Sequence, residues 1–366
     1  MRKTLAVIMT FAIAGSLLAC GGSKASSSNG SEEKSASAVE ASSVESESES
    51  GDSGVEIADD ALVLNMANTT TISAKEAGKK FKELVEKESN GTITVNLFND
   101  NQLGDDRVAV EGTQLGEISI AISSTSPVAA INHDFYAFDA PYLFDNVEEA
   151  YAALDGELGQ SILDSLENKG LKGLGYWENG FQYLSNNRNE AVTPEQLKGL
   201  KLRCMENELY IATWQAWGAN PTPMAFGEIF TGLQQGTIDG QTTTLSAIYN
   251  NHFMDAQKYL TCLKYCYLPY FMCMNLDLYN SLTDEQRDAI DKAAAESVKY
   301  QRELNQQHEQ EMMEEYESKD DIVVVYPTDE EREALKKCVE DAGVYDLAMS
   351  KMEHPEYLSN FLENAD

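Results

Sequence analysis

Four polar residues stand in a row from Gln241 to Thr244, within the stretch "TGLQQGTIDGQTTTL" at residues 231 to 245. Their amide and three hydroxyls can donate and accept hydrogen bonds, which suits them to holding a polar molecule. Gly236 and Gly240 bound a turn just before the run, and such a turn delivers the backbone to a defined place. A solvated loop is the alternative that this stretch leaves open.

No catalytic motif accompanies this polar run. The sequence contains no nucleophile elbow, phosphate-binding loop, HExxH motif or cofactor fingerprint. Because there are 61 Asp and Glu residues, some carboxylates must lie close together, and their proximity alone indicates no acid–base chemistry. We therefore predict a protein that is not an enzyme and that needs no cofactor.

The cysteines give little support to a metal site. Cys262 and Cys266 lie in "YLTCLKYCYLPYF", and in a strand they would be ~13 Å apart, too far to bond to each other. No CxxC or HxxxH spacing is present, so we predict no metal site and small buried hydrophobic roles for these residues. After residue 20 the cysteines are an odd set, which leaves at least one thiol unpaired: Cys204, Cys262, Cys266, Cys273 and Cys338.

The charge balance excludes one class of partner. The 366-residue chain is 42% hydrophobic, enough for a substantial core in two or three domains. Asp and Glu outnumber Lys and Arg by 61 to 27, which gives a net charge of −34. This charge would repel phosphate backbones, so we predict that the protein does not bind nucleic acid.

The N-terminus carries the features of an export signal. Arg2 and Lys3 precede an apolar run, Leu5 to Leu18, that is too short to span a bilayer with margin. "LLAC" at residues 17 to 20 resembles a bacterial lipobox, which implies a signal peptide over residues 1–19 and diacylglycerol on Cys20. Two acyl chains anchor a protein stably where one does not. An ordinary secretory signal with a chance cysteine is the alternative.

A polar segment follows the cysteine. Residues 23 to 54 are almost entirely Ser, Glu, Ala, Gly, Asp and Asn, so they offer little apolar area to bury. We assign residues 20–56 to the lipidated cysteine and a disordered tether. Its ~30 residues would reach about 30 Å, enough to hold a folded domain away from a membrane.

Alternating strand and helix patterns begin near Ala61. Ser73 and Glu76 have the spacing of a capping box at the start of the first helix. Strands joined by helices predict a parallel sheet. The predicted elements are the strand "LVLNMA" (62 to 67), a helix from Ser73, the strand "TITVNLF" (92 to 98), a helix through residues 108 to 115 and the strand "ISIAIS" (118 to 123).

The loops at the carboxyl edge of this sheet are candidate ligand contacts. Parallel sheets bind ligands at the carboxyl ends of their strands. The loops after the first and third strands are Asn68 to Thr71 and Ser123 to Ser126. We expect both loops to face one cleft.

A second unit of similar plan begins near residue 193. Thr193 can cap a short helix, with Pro194 at the first helical position and Gln196 completing a capping box. Further on, "LQQGTIDG" (233 to 240) repeats the helix-to-strand step of "QLGEISI" (114 to 120). Two lobes built on one plan imply a cleft between them.

The longest helical pattern runs from Thr283 to about Lys319, with Thr283 as its cap. Its ~36 residues would extend some 54 Å, longer than one lobe. A single thin apolar stripe favours a helix that lies across both lobes. A coiled-coil arm is the alternative.

From about residue 61 onward, the chain resembles the extracytoplasmic solute-binding proteins of tripartite ATP-independent periplasmic (TRAP) transporters, the DctP-like family. Several of the matching stretches are long and free of gaps. They are "NGTITVNLFNDNQLGDDR" (90 to 107), "FDAPYLF" (138 to 144), "YWENGF" (176 to 181), "LKGLKLR" (197 to 203), "GANPTPMAFGEIFTGLQQGTIDGQ" (218 to 241) and "KYL" (258 to 260).

The resemblance implies an α/β, two-lobed periplasmic-binding-protein-like fold with a hinge and a long helix crossing both lobes. Such a protein closes on a small organic acid and hands it to membrane permease subunits. We expect lobe I to comprise residues 57–181 plus about 266–305, and lobe II residues 182–265 plus about 306–366. We also expect a monomer outside the cytoplasm, anchored to the cell membrane through Cys20.

The resemblance also implies site residues. The arginine that ends "GLKLR" in the family forms a two-pronged salt bridge with the ligand carboxylate, and here it is Arg203. A guanidinium presents a planar fork that matches a carboxylate. Phe226 falls where the family places an aromatic wall. Asn68, Asp106 and Ser124 fall where family members make more variable polar contacts.

Two positions depart from the family pattern. The family has an arginine after "NGF", but this chain has Gln182, and Thr243 replaces the asparagine of "VDGQENP". The loss of one cation and one amide leaves Arg203 as the only obvious fixed positive group. We therefore predict a monocarboxylate with a neutral, hydroxylated or aromatic body, which Trp177 and Glu178 could contact.

Other functions fit the same sequence less well. A solute sensor that uses this fold without transport is the main alternative. A lipid-anchored hydrolase or lyase and a purely adhesive surface lipoprotein are weaker alternatives, because no motif supports either.

Overall fold

The computed structural model describes residues 54–364, which form an α/β fold on a ten-stranded mixed sheet. The predicted signal peptide, Cys20 and the tether up to residue 53 lie outside these residues. The strands are β1 (Leu62–Ala67), β2 (Ile93–Phe98), β3 (Ile120–Ser124), β4 (Leu171–Asn186), β5 (Lys201–Cys204), β6 (Asn220–Pro223), β7 (Gly240–Thr244), β8 (Tyr259–Thr261), β9 (Tyr267–Asn275) and β10 (Val323–Val325).

Helices cover the sheet and form the C-terminal region. They are α1 (Ile72–Glu88), α2 (Asp106–Gln114), α3 (Val147–Asp155), α4 (Glu157–Ser165), α5 (Pro194–Leu197), α6 (Glu208–Ala216), α7 (Ile229–Gln235), α8 (Leu245–Asn250), α9 (Leu276–Ser281), α10 (Asp284–Glu317), α11 (Asp329–Asp341), α12 (Val344–Lys351) and α13 (Glu356–Asn364). The strand order is β2-β1-β3-β9-β4-β7-β5-β6, with β8 beside β4 and β10 beside β8.

Strand β4 joins the two halves of this sheet. Its 16 residues pair with β9 as far as Phe181 and with β7 from Gln182 onward. Just before the change of partner, the register shifts between Glu178 and Gly180. Gly180 has a φ of 111°, a conformation that residues with a Cβ rarely adopt. One strand thus runs through both halves and changes partner beside a bulge.

The first half confirms the predicted parallel sheet, because β1 pairs in parallel with both β2 and β3. Leu64 and Met66 of β1 are fully buried in the same core cluster as Phe81 and Val85 of α1. Burying one side chain of this size contributes roughly 1.5 to 3 kcal/mol. The alternation of β1 therefore fixes α1 on one face of the sheet.

The predicted capping box at the start of α1 is wrong. The helix begins at Ile72, and its N-cap residue Thr71 makes no capping hydrogen bond through its side chain. Ser73 lies inside the first turn and donates instead to Asn305 Oδ1 of α10, at 2.7 Å. Glu76 pairs with Lys79 at 3.3 Å. The buried Ser73 hydroxyl needs a partner, and a long-range contact provides it.

Helix α10 confirms the prediction of a long helix capped at Thr283. Its capping box joins Thr283 and Gln286. It is buried along one side against α1, α8 and β4, so the coiled-coil alternative is wrong. It contacts β4 on both sides of the change of partner, through Trp177 and Tyr183. No helix within residues 54–364 is both long and apolar enough to cross a membrane.

The second half begins as predicted, with Thr193 Oγ1 accepting from Gln196 N at 3.3 Å and Pro194 at the first helical position. The capping box is incomplete, because Gln196 Oε1 accepts from Val192 N instead. The chain then enters β5. Leu202 is buried in the core, and the next residue, Arg203, points to the opposite face because side chains alternate along a strand.

The five cysteines of the described region are free, and four of them are buried, in line with the predicted role as small buried side chains. Cys262 and Cys266 lie between β8 and β9 and not within a strand, so the strand considered for them is wrong. Across residues 54–364, no group of three or more His, Cys, Asp or Glu side chains is placed to hold a metal ion.

Candidate functional site

A cavity of about 280 Å³ opens between the two halves of the sheet. Its walls come from the loop after β1, the loop after β3, the start of α2, and the strands β5 and β7. Thr69 and Thr70 of the predicted loop after β1 line the cavity, and so do Ser124 and Ser126 of the predicted loop after β3. The topology therefore brings both predicted loops to one cavity.

Arg203 provides the cavity with a buried cation. The residue is only 2% exposed, and its Nε donates to Met224 O at 3.0 Å while Nη1 lies 3.4 Å from Thr242 O. Among residues 54–364, no carboxylate lies within the 4.0 Å of an ion pair with this guanidinium. Burial lowers the pKa of Arg203 to about 10, so the side chain is still charged at neutral pH. Two backbone carbonyls orient it, and the nearby charges of Asp106 and Glu206 favour its charged form without forming a direct ion pair with it.

Asp106 lies at the first position of α2 and lines the same cavity. Its Oδ1 accepts from Ser124 N at 2.7 Å and from Ser123 Oγ at 3.0 Å. Burial raises the pKa of Asp106, although these two hydrogen bonds and Arg203 oppose the shift. The arrangement fixes one carboxylate oxygen of Asp106 to the loop after β3.

Thr243 and Phe226 also line the cavity. Phe226 lies against Phe253, with ring centroids 5.7 Å apart, so the predicted aromatic wall is braced from behind. Thr243 belongs to β7, all of whose residues are buried. The solvated-loop alternative for Gln241 to Thr244 is therefore wrong, and of these four residues Thr243 lines the cavity.

Asn68 supports the cavity without lining it. Its Nδ2 donates to Ala74 O at 2.9 Å and to Asn99 Oδ1 at 3.1 Å, and its Oδ1 accepts from Thr69 N. Every polar atom of the side chain is thus engaged by protein groups. In this structure Asn68 therefore holds the loop that bears Thr69 and does not itself line the cavity.

Gln182 lies one layer behind the cavity wall. Its Oε1 accepts from Thr242 Oγ1 at 2.7 Å and from Tyr265 OH at 3.2 Å, and its Nε2 donates to Tyr210 OH. These three hydroxyls bond to both polar atoms of the amide. The structure therefore does not bring Gln182 to the cavity, in contrast to our expectation.

Trp177 and Glu178 are likewise placed away from the cavity. Trp177 is fully buried in the core of the first half, and its Nε1 donates to Ser297 Oγ at 3.2 Å. Glu178 is fully buried too, and it accepts from Tyr151 OH at 2.7 Å and from Gln306 Nε2 at 2.8 Å. Neither residue lines the cavity, because α10 covers Trp177 and both α3 and α10 cover Glu178.

Glu178 nevertheless gives a testable pH dependence. Burial raises the pKa of Glu178 from 4.5 to about 7, so the folded protein holds this proton more tightly than the unfolded chain. The contribution of Glu178 to stability therefore falls as pH rises from about 4.5 to 7. We expect Glu178→Gln to become more stable relative to the wild type by about 2 kcal/mol between pH 5 and pH 7.5.

Urea unfolding of both proteins at the two pH values measures this difference. Glu117→Gln is the matched control, because Glu117 is exposed. Parallel pH profiles for the wild type and Glu178→Gln would show that this carboxyl is ionised in the folded protein throughout the range.

Sequence analysis missed several residues that line the cavity, among them Asn179, Tyr270 and Arg107. Asn179 lies within the quoted motif "YWENGF", and its Oδ1 accepts from Thr244 Oγ1 at 2.7 Å. Tyr270 belongs to β9, which the sequence did not place beside β3. Arg107 is a second cation at the cavity, 66% exposed and 3.5 Å from Glu111. Arg107 follows Asp106 directly in the matching stretch "GDDR", in which the sequence pointed only to Asp106 as a ligand contact.

A two-part α/β fold with a cavity between the parts defines a solute-binding protein. The model of the family "Bacterial extracellular solute-binding protein, family 7" (DctP) matches residues 64–345. The chain belongs to this family of TRAP-transporter binding proteins, and it is not an enzyme. The family's two-lobed architecture agrees with the fold predicted from the sequence.

Individual relatives bind different acids. The chain is 34% identical over 257 residues to the 2,3-diketo-L-gulonate-binding periplasmic protein YiaO of Escherichia coli, which covers 70% of this chain and 78% of that protein. The galactonate complex of the sugar-acid-binding protein DctPAm from Advenella mimigardefordensis is 32% identical, with a TM-score of 0.79 over 85% of this chain and 99% of that one. A succinate complex from Shewanella oneidensis is 26% identical, with a TM-score of 0.78 over 84% and 100%.

Proposed function

We propose that this protein is the lipid-anchored solute-binding subunit of a TRAP transporter and that its solute is a monocarboxylic acid with a hydroxylated body. Arg203 carries the proposal. This buried guanidinium makes no direct ion pair with Asp106 or Glu206, so a ligand carboxylate that fits its planar fork would further offset its desolvation.

The rest of the cavity favours a neutral, hydrogen-bonding body. Asp105, Asp106 and Glu206 line it together with only one further cation, the exposed Arg107. A second carboxylate on the solute would face these three acidic side chains. Hydroxyls suit the polar neutral groups on the walls, which are Thr69, Thr70, Asn101, Ser124, Ser126, Tyr136, Asn179, Thr243 and Tyr270.

The lobe boundaries that we propose are those expected from the sequence: residues 57–181 with about 266–305, and residues 182–265 with about 306–366. The change of partner of β4 between Phe181 and Gln182 supports the first boundary. The bulge at Gly180 beside it is a suitable hinge, because hinge closure concentrates the backbone rotation in a few residues. The protein would close on its solute as a monomer.

The membrane anchor and the partner follow from the N-terminus and the family. Cys20 would carry diacylglycerol, residues 1–19 would be removed, and residues 20–56 would form the tether. The protein would then work outside the cytoplasm, within reach of the permease subunits to which it delivers the acid.

A panel of acids tests the proposed solute class. D-Galactonate, D-erythronate and succinate would be compared by thermal shift and then by calorimetry. A ligand at 100 times its Kd stabilises the folded protein by about 2.7 kcal/mol, so a cognate acid should raise Tm clearly. We expect the hydroxylated monocarboxylates to bind more tightly than succinate.

Galactitol is the matched control ligand, because it keeps the hydroxyls of galactonate and lacks the carboxylate. Binding of galactitol with similar affinity would contradict a carboxylate clamp. Preferential binding of succinate would contradict the monocarboxylate class.

A further inference from the structure

Asp139 is a buried carboxyl group directly behind the cavity. It ends the 3-10 helix His133–Asp139 and is only 2% exposed. Its Oδ1 accepts from Ser126 Oγ, and its Oδ2 accepts from Asn207 Nδ2 at 2.6 Å. None of the Lys, Arg or His side chains in residues 54–364 forms an ion pair with it. Hydrogen bonds alone offset its burial.

The two partners of Asp139 belong to two different walls of the cavity. Ser126 lines the cavity itself, on the loop after β3. Asn207 follows Met205 and Glu206, which line the cavity between β5 and α6. Asn207 Nδ2 also donates to Ser126 O at 3.2 Å, and Asn207 Oδ1 caps α6 by accepting from Leu209 N at 2.8 Å. Asp139 therefore joins one wall to the other.

A series of polar contacts connects Ser126 to the Arg203 guanidinium by way of Tyr210, Gln182 and Thr242. Ser126 Oγ lies 3.4 Å from Tyr210 OH, which accepts from Gln182 Nε2. Gln182 Oε1 accepts from Thr242 Oγ1, and Thr242 O lies 3.4 Å from Arg203 Nη1. The neutral Gln182 completes this chain of donors and acceptors.

We propose that Asp139 is a positioning residue for solute binding, which acts by clamping the loop after β3 to the loop before α6 behind the cavity. The predicted effect on affinity rests on the proposed function. The clamp itself rests only on the geometry. Asp139 does not line the cavity, so its influence passes through Ser126 and Asn207.

Ionisation of Asp139 controls the clamp. The titratable groups that face it are Tyr136, Tyr210 and Cys266, and burial raises the pKa of each, so all three are neutral at pH 7. Lys351 of α12 pairs with Glu208, and His354 before α13 pairs with Asp134. Burial raises the pKa of Asp139 to about 7. The ionised carboxylate accepts from both partners, whereas the protonated acid keeps fewer acceptor sites.

The bound state needs both walls in place, so it should favour the ionised form and lower the pKa of Asp139. By linkage, affinity then falls as pH drops through about 7. We expect wild-type affinity for D-galactonate, measured by calorimetry, to fall roughly threefold to tenfold between pH 8 and pH 6. Galactonate itself stays ionised over this range, because free carboxyl groups titrate near pH 4.

Asp139→Asn should weaken binding about tenfold at pH 8, because the neutral amide has only one acceptor oxygen and cannot accept from both Ser126 and Asn207. It should also abolish the pH dependence. Asp134→Asn is the matched control, because Asp134 is buried in the same 3-10 helix but bonds to His354. Unchanged affinity and an unchanged pH profile in Asp139→Asn would overturn the proposal.

Hydrogen exchange tests the clamp without any solute. In Asp139→Asn, the backbone amides of residues 124–126, 128 and 205–209 should exchange faster than in the wild type, and in Asp134→Asn they should not. Equal exchange in all three proteins would disprove the clamp even if galactonate binds. Faster exchange with no binding of any acid would keep the clamp and reject the proposed solute class.

Discussion

Arg203→Ala is expected to weaken binding of the cognate acid by about two to three orders of magnitude. The guanidinium is 2% exposed and has two backbone carbonyls, but no carboxylate, as protein partners. Removing one partner of a buried ion pair typically costs about 3 to 5 kcal/mol, and each 1.4 kcal/mol is tenfold in Kd. Calorimetry with the best acid of the panel measures the loss directly.

Two further variants make this result specific. Arg203→Lys should recover only part of the affinity, because an ammonium cannot form two parallel hydrogen bonds with a carboxylate. Arg188→Ala is the control, because Arg188 is 63% exposed and forms a surface ion pair with Asp239. A loss of less than about threefold in Arg203→Ala would show that the acid is held elsewhere on the cavity wall.

Cys20→Ala is expected to release nearly all of the protein from the membrane fraction of cells. Each buried CH₂ of an acyl chain contributes about 0.8 kcal/mol, so the loss of two chains removes the proposed attachment. Fractionation of cells followed by immunoblotting measures the distribution. The released protein should bind its acid with unchanged affinity, because the cavity is built from residues beyond the tether.

Cys338→Ala provides the comparison for this experiment. Cys338 is the partly exposed thiol of α11, and its loss should leave the protein at the membrane. Mass spectrometry of the mature wild-type N-terminus should detect a diacylglyceryl group. Retention of Cys20→Ala at the membrane would mean that another attachment holds the protein there.

Local patterns predicted the first half of the fold well. Leu64 and Met66 are buried while Val63 before them and Asn65 between them are more exposed, and the helix after them carries one apolar face, so the pattern predicts the parallel pairing of β1 with β2 and β3. The antiparallel entry of β9 beside β3 could not be predicted in this way. It joins residues about 150 positions apart, and no local periodicity encodes such a pairing.

The sequence could predict those candidate site residues whose position is set by the backbone topology. Arg203 and Thr243 lie on buried strands, and Asp106 and Ser124 lie at strand or helix ends, so the topology carries all four to the cavity. Gln182 belongs to β4, but whether its side chain reaches the cavity depends on the hydroxyls around it. Those hydroxyls come from α6, from β7 and from the segment before β9.

Trp177 and Glu178 also show that the sequence does not reveal whether a side chain reaches the cavity. Both lie in a motif that the family shares, but α10 and α3 cover them. Packing between distant segments decides which residues of a motif face a cavity. A single sequence contains no direct signal for that choice.

The proposed role of Arg203 as the carboxylate anchor also has a consequence for binding measurements. Small anions of the medium, such as acetate, formate or bicarbonate, compete for the same guanidinium. A competitor present at ten times its own dissociation constant raises the apparent Kd of the true solute about elevenfold by mass action. Affinities measured in carboxylate buffers will therefore understate the intrinsic value.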